Sequence, residues 1–156
     1  MKTTQRRILR FLHSHRVLIV AITGDHGQPH AAALFYAVDE NLRLYVLTDP
    51  VTRHGRAMLL EGRVAGTVQR DRQDWRKIQG VQLHGRCWLL KSGARDRAWT
   101  QFVRRFPFLN HGNVKLRLAL EKTALWAIEP DWMRLINNRL GFGHKQEWTR
   151  RRRRAK

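Results

Sequence analysis

The sequence predicts a mainly β (α+β) chain: a six- to seven-stranded antiparallel barrel with peripheral helices. Two observations carry this. Runs rich in β-branched and aromatic residues outnumber runs of helical periodicity, and most are joined by turns too short for anything but antiparallel pairing. The helical runs fall between strands without the strand–helix–strand rhythm of a parallel sheet. A barrel also pairs the edges that a chain of short strands otherwise leaves open.

The elements follow in order. Over residues 5–14, Ile8, Leu9, Phe11 and Leu12 share one helical stripe, with Arg6, Arg7 and Arg10 elsewhere. VLIVAIT (17–23) is a nearly continuous apolar run, expected as a buried strand, and GDHGQP (24–29) is turn chemistry. HAAALFYAV (30–38) and LRLYVLT (42–48) complete a three-strand meander around a turn at 39–41. A short helix is expected at 53–61, stopped by Gly62, and strand four at 63–69. IQGVQLHGRCWLL (78–90) reads as a long strand in which Gly80 and Gly85 suggest a bulge or bend. Ala98, Phe102 and Val103 give 94–106 helical periodicity, ended by Pro107. Residues 108–122 are ambiguous, with a further helix possible at 114–121. TALWAIEP (123–130) and WMRLINN (132–138) are expected as the last two strands.

Composition narrows the classes of function. The chain has 156 residues with 42% hydrophobic side chains, enough for one domain with a real core. The domain is expected over 1–148, followed by a basic, disordered tail at 149–156. No apolar run approaches the roughly 20 residues of a membrane helix, and no secretory signal is read at the N-terminus. With the single Cys87, internal disulfides and cysteine-based metal knuckles are excluded, so the cytoplasm is the expected compartment. Lys and Arg number 31 against 12 Asp and Glu, a net charge of +19. Six of those charges lie in RRRRRAK (150–156), so the excess is spread through the fold as well. Such a surface attracts polyanions without specifying any one of them.

One stretch carries the chemistry. In TDPVTRHGRAM (48–58), Thr48 closes a strand, Asp49-Pro50 turns the chain, and a helix opens on Thr52, Arg53 and His54. Hydroxyls and cations at a helix start suit a phosphate group. Each residue also has a plainer reading: Thr48 as a strand end, Thr52 as an N-cap, Arg53 and His54 as a solvated helix face. Gln82 is polar on an otherwise apolar strand, which suggests a ligand or dimer contact. The eight histidines form no recognisable metal motif. Cys87 is expected as an inert buried thiol, the tryptophans as core or interface anchors, and LGFGHK lacks a nucleotide-binding pattern.

The order of helix, three meander strands, T-x-x-x-x-R-H turn, V-A-G-T-V strand and G-V-Q-L-H-G strand resembles the pyridoxamine 5′-phosphate oxidase-like, FMN-binding split-barrel family. INNRLGFGHKQEW (136–148) resembles its little-characterised YhbP branch. The resemblance runs from about Leu9 to Trp148. It implies a homodimer with FMN at the subunit interface, Thr48, Arg53 and His54 at the phosphate, and the end of strand two (Leu34, Phe35, Tyr36) along the flavin. The family often has Arg-Lys where this chain has Arg53-His54. Its flavin-ring glutamine falls on Gly80 here, with Gln82 two residues on. The substrate-binding arginine and histidine pattern of the true oxidases is not evident in LGFGHKQEW, so pyridoxamine-phosphate oxidase activity is not expected. Three readings stay open: an FMN-dependent oxidoreductase of unknown substrate, a non-catalytic flavin or haem carrier or sensor, and a polyanion binder whose arginine tail makes weak, non-specific contact with nucleic acid.

Overall fold

The computed structural model of the chain describes residues 3–71, 74–110 and 113–150. Helix α1 (Thr3–Ser14) buries Ile8, Leu9, Phe11 and Leu12, the stripe expected from their spacing. The strands are β1 (Val17–Thr23), β2 (Pro29–Val38), β3 (Leu44–Thr48), β4 (Arg63–Gln69), β5 (Gln79–Leu89), β6 (Ala124–Asn137) and β7 (Lys145–Thr149). They form one antiparallel sheet in the order β3-β2-β1-β4-β5-β6-β7. A further pairing of β3 with β6 closes six strands into a barrel, and β7 extends β6 outside it. Helix α2 (Arg53–Glu61) joins β3 to β4; α3 (Ser92–Arg105) and α4 (Val114–Glu121) lie between β5 and β6.

Alternation decides what faces in. Along β5, Val81, Leu83 and Cys87 point into the barrel, while Gln82, His84, Arg86 and Trp88 point out. The interior cluster adds Leu18, Val20, Tyr36, Val46, Trp126, Ile128 and Met133, with α1 and α2 packed against it. A second cluster lies outside the barrel wall, where Ala98, Phe102 and Phe106 cover Ala37, Tyr45, Leu125 and Ala127.

The expected bulge is present. The β5–β6 register shifts between His84 and Gly85, leaving Asp131 as the extra residue of β6. A Cβ on Gly85 would run into the Glu129 carbonyl and come within 2.6 Å of Pro130 Cα. Gly80 carries no such irregularity.

Three expectations need correction. The last two strands are one, β6, because Pro130 sits at the bulge, where its missing N–H interrupts little of the ladder. Strand β7 was not expected, since KQEWT has only one large apolar residue. The domain also runs past Trp148. Thr149 pairs in β7, and Arg150 donates to the carbonyls of Pro130 and Asn41, each at 2.9 Å. The remainder of the expected tail, 151–156, lies outside the described residues. Of the tryptophans, Trp126 is fully buried, and Trp148 and Trp99 pack partly buried against the two clusters, in keeping with core anchors.

Candidate functional site

The corner where β3 ends and α2 begins is built by local hydrogen bonding. Thr48 is buried, and the Trp126 indole N–H donates to its carbonyl at 3.2 Å, pinning the end of β3 to β6. Asp49 Oδ1 accepts the Val51 N–H at 2.9 Å and sets the turn. Thr52 is the N-cap of α2: its hydroxyl donates to the Asp49 carbonyl at 2.7 Å and accepts the Gly55 N–H at 3.1 Å. Gly55 is required here, because a Cβ would collide with the Asp49 carbonyl and reach 2.9 Å from Pro50. At the far end, Gly62 adopts φ +61° and returns its N–H to the Met58 carbonyl, so the helix stops as its sequence suggests.

The cap takes the third helical N–H, and the N–H groups of Arg53 and His54 have no acceptor within the helix. Arg53 is exposed. Thr48 Oγ1 and His54 Nε2 share a hydrogen bond of 2.6 Å, and the His54 ring stacks on His30 at 6.0 Å between centroids. Partial burial lowers the His54 pKa from the ordinary imidazole value, and the neighbouring His30 lowers it further. The corner therefore offers two backbone N–H groups, one guanidinium fork and two imidazoles. Asp49 is the nearby carboxylate, and its Oδ1 is engaged in the turn. That donor set fits a phosphate monoester.

The other expected site residues divide by face. Leu34 points inward and packs against the core, and Tyr36 is fully buried with its hydroxyl donating to the Leu12 carbonyl at 2.7 Å. The same desolvation raises the Tyr36 pKa. Of the three strand-two residues, only Phe35 presents its side chain outward, at 50% exposure, against Phe106 and Phe108. Gln82 is exposed on the outer face, paired in register with Thr67 and Arg134. Thr48, Thr52, Arg53 and His54 thus come together, whereas Leu34 and Tyr36 could meet a ligand only through the backbone. Thr52 acts as the cap in its plainer reading.

The residue that sequence reasoning missed is His30. It is the second residue of β2, and no local pattern reports that α2 will bring His54 against it. The Cys87 thiol is buried, pushed up to about 11 by desolvation, and bonded to the Met58 carbonyl, which makes it inert. Among the described residues no group of three metal-ligating side chains is found. No helix among them is long and apolar enough to cross a membrane.

No family model matches the chain. It is 33% identical over 144 residues to a UPF0306 protein of Yersinia pestis biovar Antiqua, covering 92% of this chain and 91% of the relative. UPF0306 proteins of Yersinia pseudotuberculosis match over the same length and at the same identity. Among solved structures, a haem-binding protein of Mycobacterium smegmatis superposes with a TM-score of 0.78 at 14% identity, over 96% of this chain and 59% of that one. A candidate pyridoxamine 5′-phosphate oxidase of Listeria innocua gives 0.67 at 16%, over 86% and 98%. HutZ, described as the haem storage protein of Vibrio cholerae, gives 0.66 at 16%, over 80% and 88%. At these identities the structural likeness establishes the split-barrel fold.

Proposed function

The chain belongs to the UPF0306 family, on a pyridoxamine 5′-phosphate oxidase-like split barrel, and from that premise we propose that it binds FMN through the Thr48–Met58 corner. The observation that carries the reading is the donor set of that corner, with Arg53 exposed at the mouth of a helix whose first N–H groups are free. The Arg53 fork would hold the phosphate, and the helix start would favour the anion. His54 contributes a neutral hydrogen bond near pH 7, its charge suppressed by burial. Bound flavin supplies hydride or electron transfer, and the chain's own residues supply binding and orientation. An oxidoreductase acting on an unidentified small molecule is the function that follows.

A homodimer belongs to the same proposal. The outer face of β1, β2 and β4 is small and apolar, with Ala31, Ala33 and Ala65 exposed beside Val17 and Phe35. A stable interface of this kind buries more than about 1,200 Å².

A second reading is haem. It is favoured by the His30–His54 pair, which offers an imidazole to iron, and by the haem proteins among the structural neighbours.

Titration separates these readings. FMN and riboflavin are added to the parent and to Arg53→Ala, and flavin absorbance and fluorescence are followed. A charge-assisted hydrogen bond contributes roughly 1.5–3 kcal/mol. The substitution should therefore weaken FMN by roughly tenfold to a hundredfold and leave riboflavin unchanged. Equal weakening of both ligands would show that Arg53 does not read the phosphate. A Soret band on hemin addition, lost in His30→Ala, with no response to FMN, would select haem instead.

A further inference from the structure

The most exposed large aromatic side chains are remote in sequence from the β3–α2 corner. Trp75 is 58% and Phe142 84% exposed, yet their rings meet edge to face at 6.0 Å between centroids. They stand on different loops: Trp75 in the short helical turn between β4 and β5, Phe142 in the connection from β6 to β7. Asn138 fastens the two. Its side-chain N–H donates to the Trp75 carbonyl at 2.7 Å, its Oδ1 accepts the Gly143 N–H at 3.1 Å, and its backbone N–H donates to the Ile78 carbonyl at 2.9 Å. Gly141 and Gly143 flank Phe142 at φ +127° and +70°, conformations that side chains rarely adopt. The ring is therefore held out by a built loop.

Cations accompany the pair. The Arg76 guanidinium lies over the Trp75 ring at 5.0 Å, and Lys77 and Arg139, two and three residues from the rings in sequence, are exposed. Past Leu140 the edge opens into a groove of about 510 Å³ that includes Arg7, Arg10, Gln79 and Asn137 in its walls. None of Arg7, Arg10, Arg76, Lys77 and Arg139 forms an ion pair with another described residue.

We propose that this edge binds single-stranded nucleic acid, with bases stacked on Trp75 and Phe142 and phosphates tracking the Arg7–Arg10 groove. A cationic groove beside rigid aromatic faces is the arrangement that single strands require, because every base has a face to stack. A duplex hides those faces. An apolar protein partner would desolvate five cations that have no carboxylate partner among the described residues, at a cost nothing on this edge offsets. The chain's net charge of +19 draws in any polyanion, and the two rings select those with unstacked bases.

The test is fluorescence anisotropy of fluorescein-labelled (dT)12 with the full chain at several salt concentrations. Phe142→Ser should weaken binding by about tenfold without changing the salt slope, and Trp75→Leu should do the same. Arg10→Gln should instead lower the slope of log affinity on log salt by about 0.7. A 12-base-pair duplex should bind more weakly than the single strand. Deleting residues 151–156 should weaken the parent and Phe142→Ser alike and preserve their ratio. Phe142 is 84% exposed, so its substitution decides the matter even if Trp75→Leu lowers stability. The proposal is overturned if both aromatic variants bind (dT)12 as the parent does, or if the duplex binds as well as the single strand. It is also overturned if the aromatic variants lose binding to phosphatidylcholine–phosphatidylglycerol vesicles and not to (dT)12.

Discussion

The β3–α2 corner and the Trp75–Phe142 edge are both basic, and they hold their polar groups in opposite ways. At the corner nearly every side chain already has a partner: Thr48 with His54, Thr52 with Asp49 and Gly55, and His54 stacked on His30. At the edge the backbone is tied down by Asn138 while the rings and cations face water. A ligand at the corner would meet a preformed frame with a few free donors, so recognition there would be geometric and selective. At the edge a ligand would meet exposed charge and exposed aromatic rings, so recognition would be broad and sensitive to salt.

Gly55→Ala gives the most forceful way to break this contrast. The added methyl has no room against the Asp49 carbonyl and Pro50, so the turn or the helix start must move. A loss of about 1–3 kcal/mol in unfolding free energy is expected from denaturant titration, together with loss of the FMN response. The (dT)12 response should persist under native conditions. Parallel loss of both would show that the two regions are not independent.

A smaller effect comes from pH. His54 has a pKa below its unfolded value, through burial and the neighbouring His30, so the unfolded chain binds its proton first. The stability it confers is fully present above about pH 6.5 and is lost as pH falls through the lower, folded value. Urea unfolding at pH 7.5, 6.5 and 5.5 should show the decline in the parent and a flatter profile in His54→Asn. Parallel profiles would mean that another group carries the dependence.

The smallest expected effect sharpens the other side. Phe142→Ser removes an almost fully exposed ring and should leave unfolding free energy within about 0.5 kcal/mol of the parent. A larger loss would show that the ring supports the fold as well as the edge.

What sequence could reveal follows the same division. Local signals were sufficient for α1, whose stripe is buried as spaced, for the Gly62 stop and for the bulge at Gly85. The continuity of β6 through Pro130 was hidden, because the tolerance of proline there depends on the opposing Gly85. Thr48, Thr52, Arg53 and His54 lie within seven residues, and their grouping was readable from turn and cap chemistry. His30 joins them only through β2 and α2 packing, and Trp75 meets Phe142 only because Asn138 bonds back across the barrel end. Neither approach has a periodic or motif signal. Tyr36 shows the converse: the family resemblance implied a place along the flavin, whereas strand alternation turns its side chain inward to the Leu12 carbonyl.

The β3–β6 pairing has a consequence for how the chain is made. During synthesis β1, β2 and β3 can form their meander early, yet the free edge of β3 gains its partner only when Ala124–Ile128 emerges. At ordinary translation rates of about 5–20 residues per second, that edge waits for several seconds with its backbone groups unpaired. Barrel closure is then a long-range event, slow by its separation along the chain. A nascent chain stalled before β6 should be the form that chaperones hold longest and that aggregates most readily.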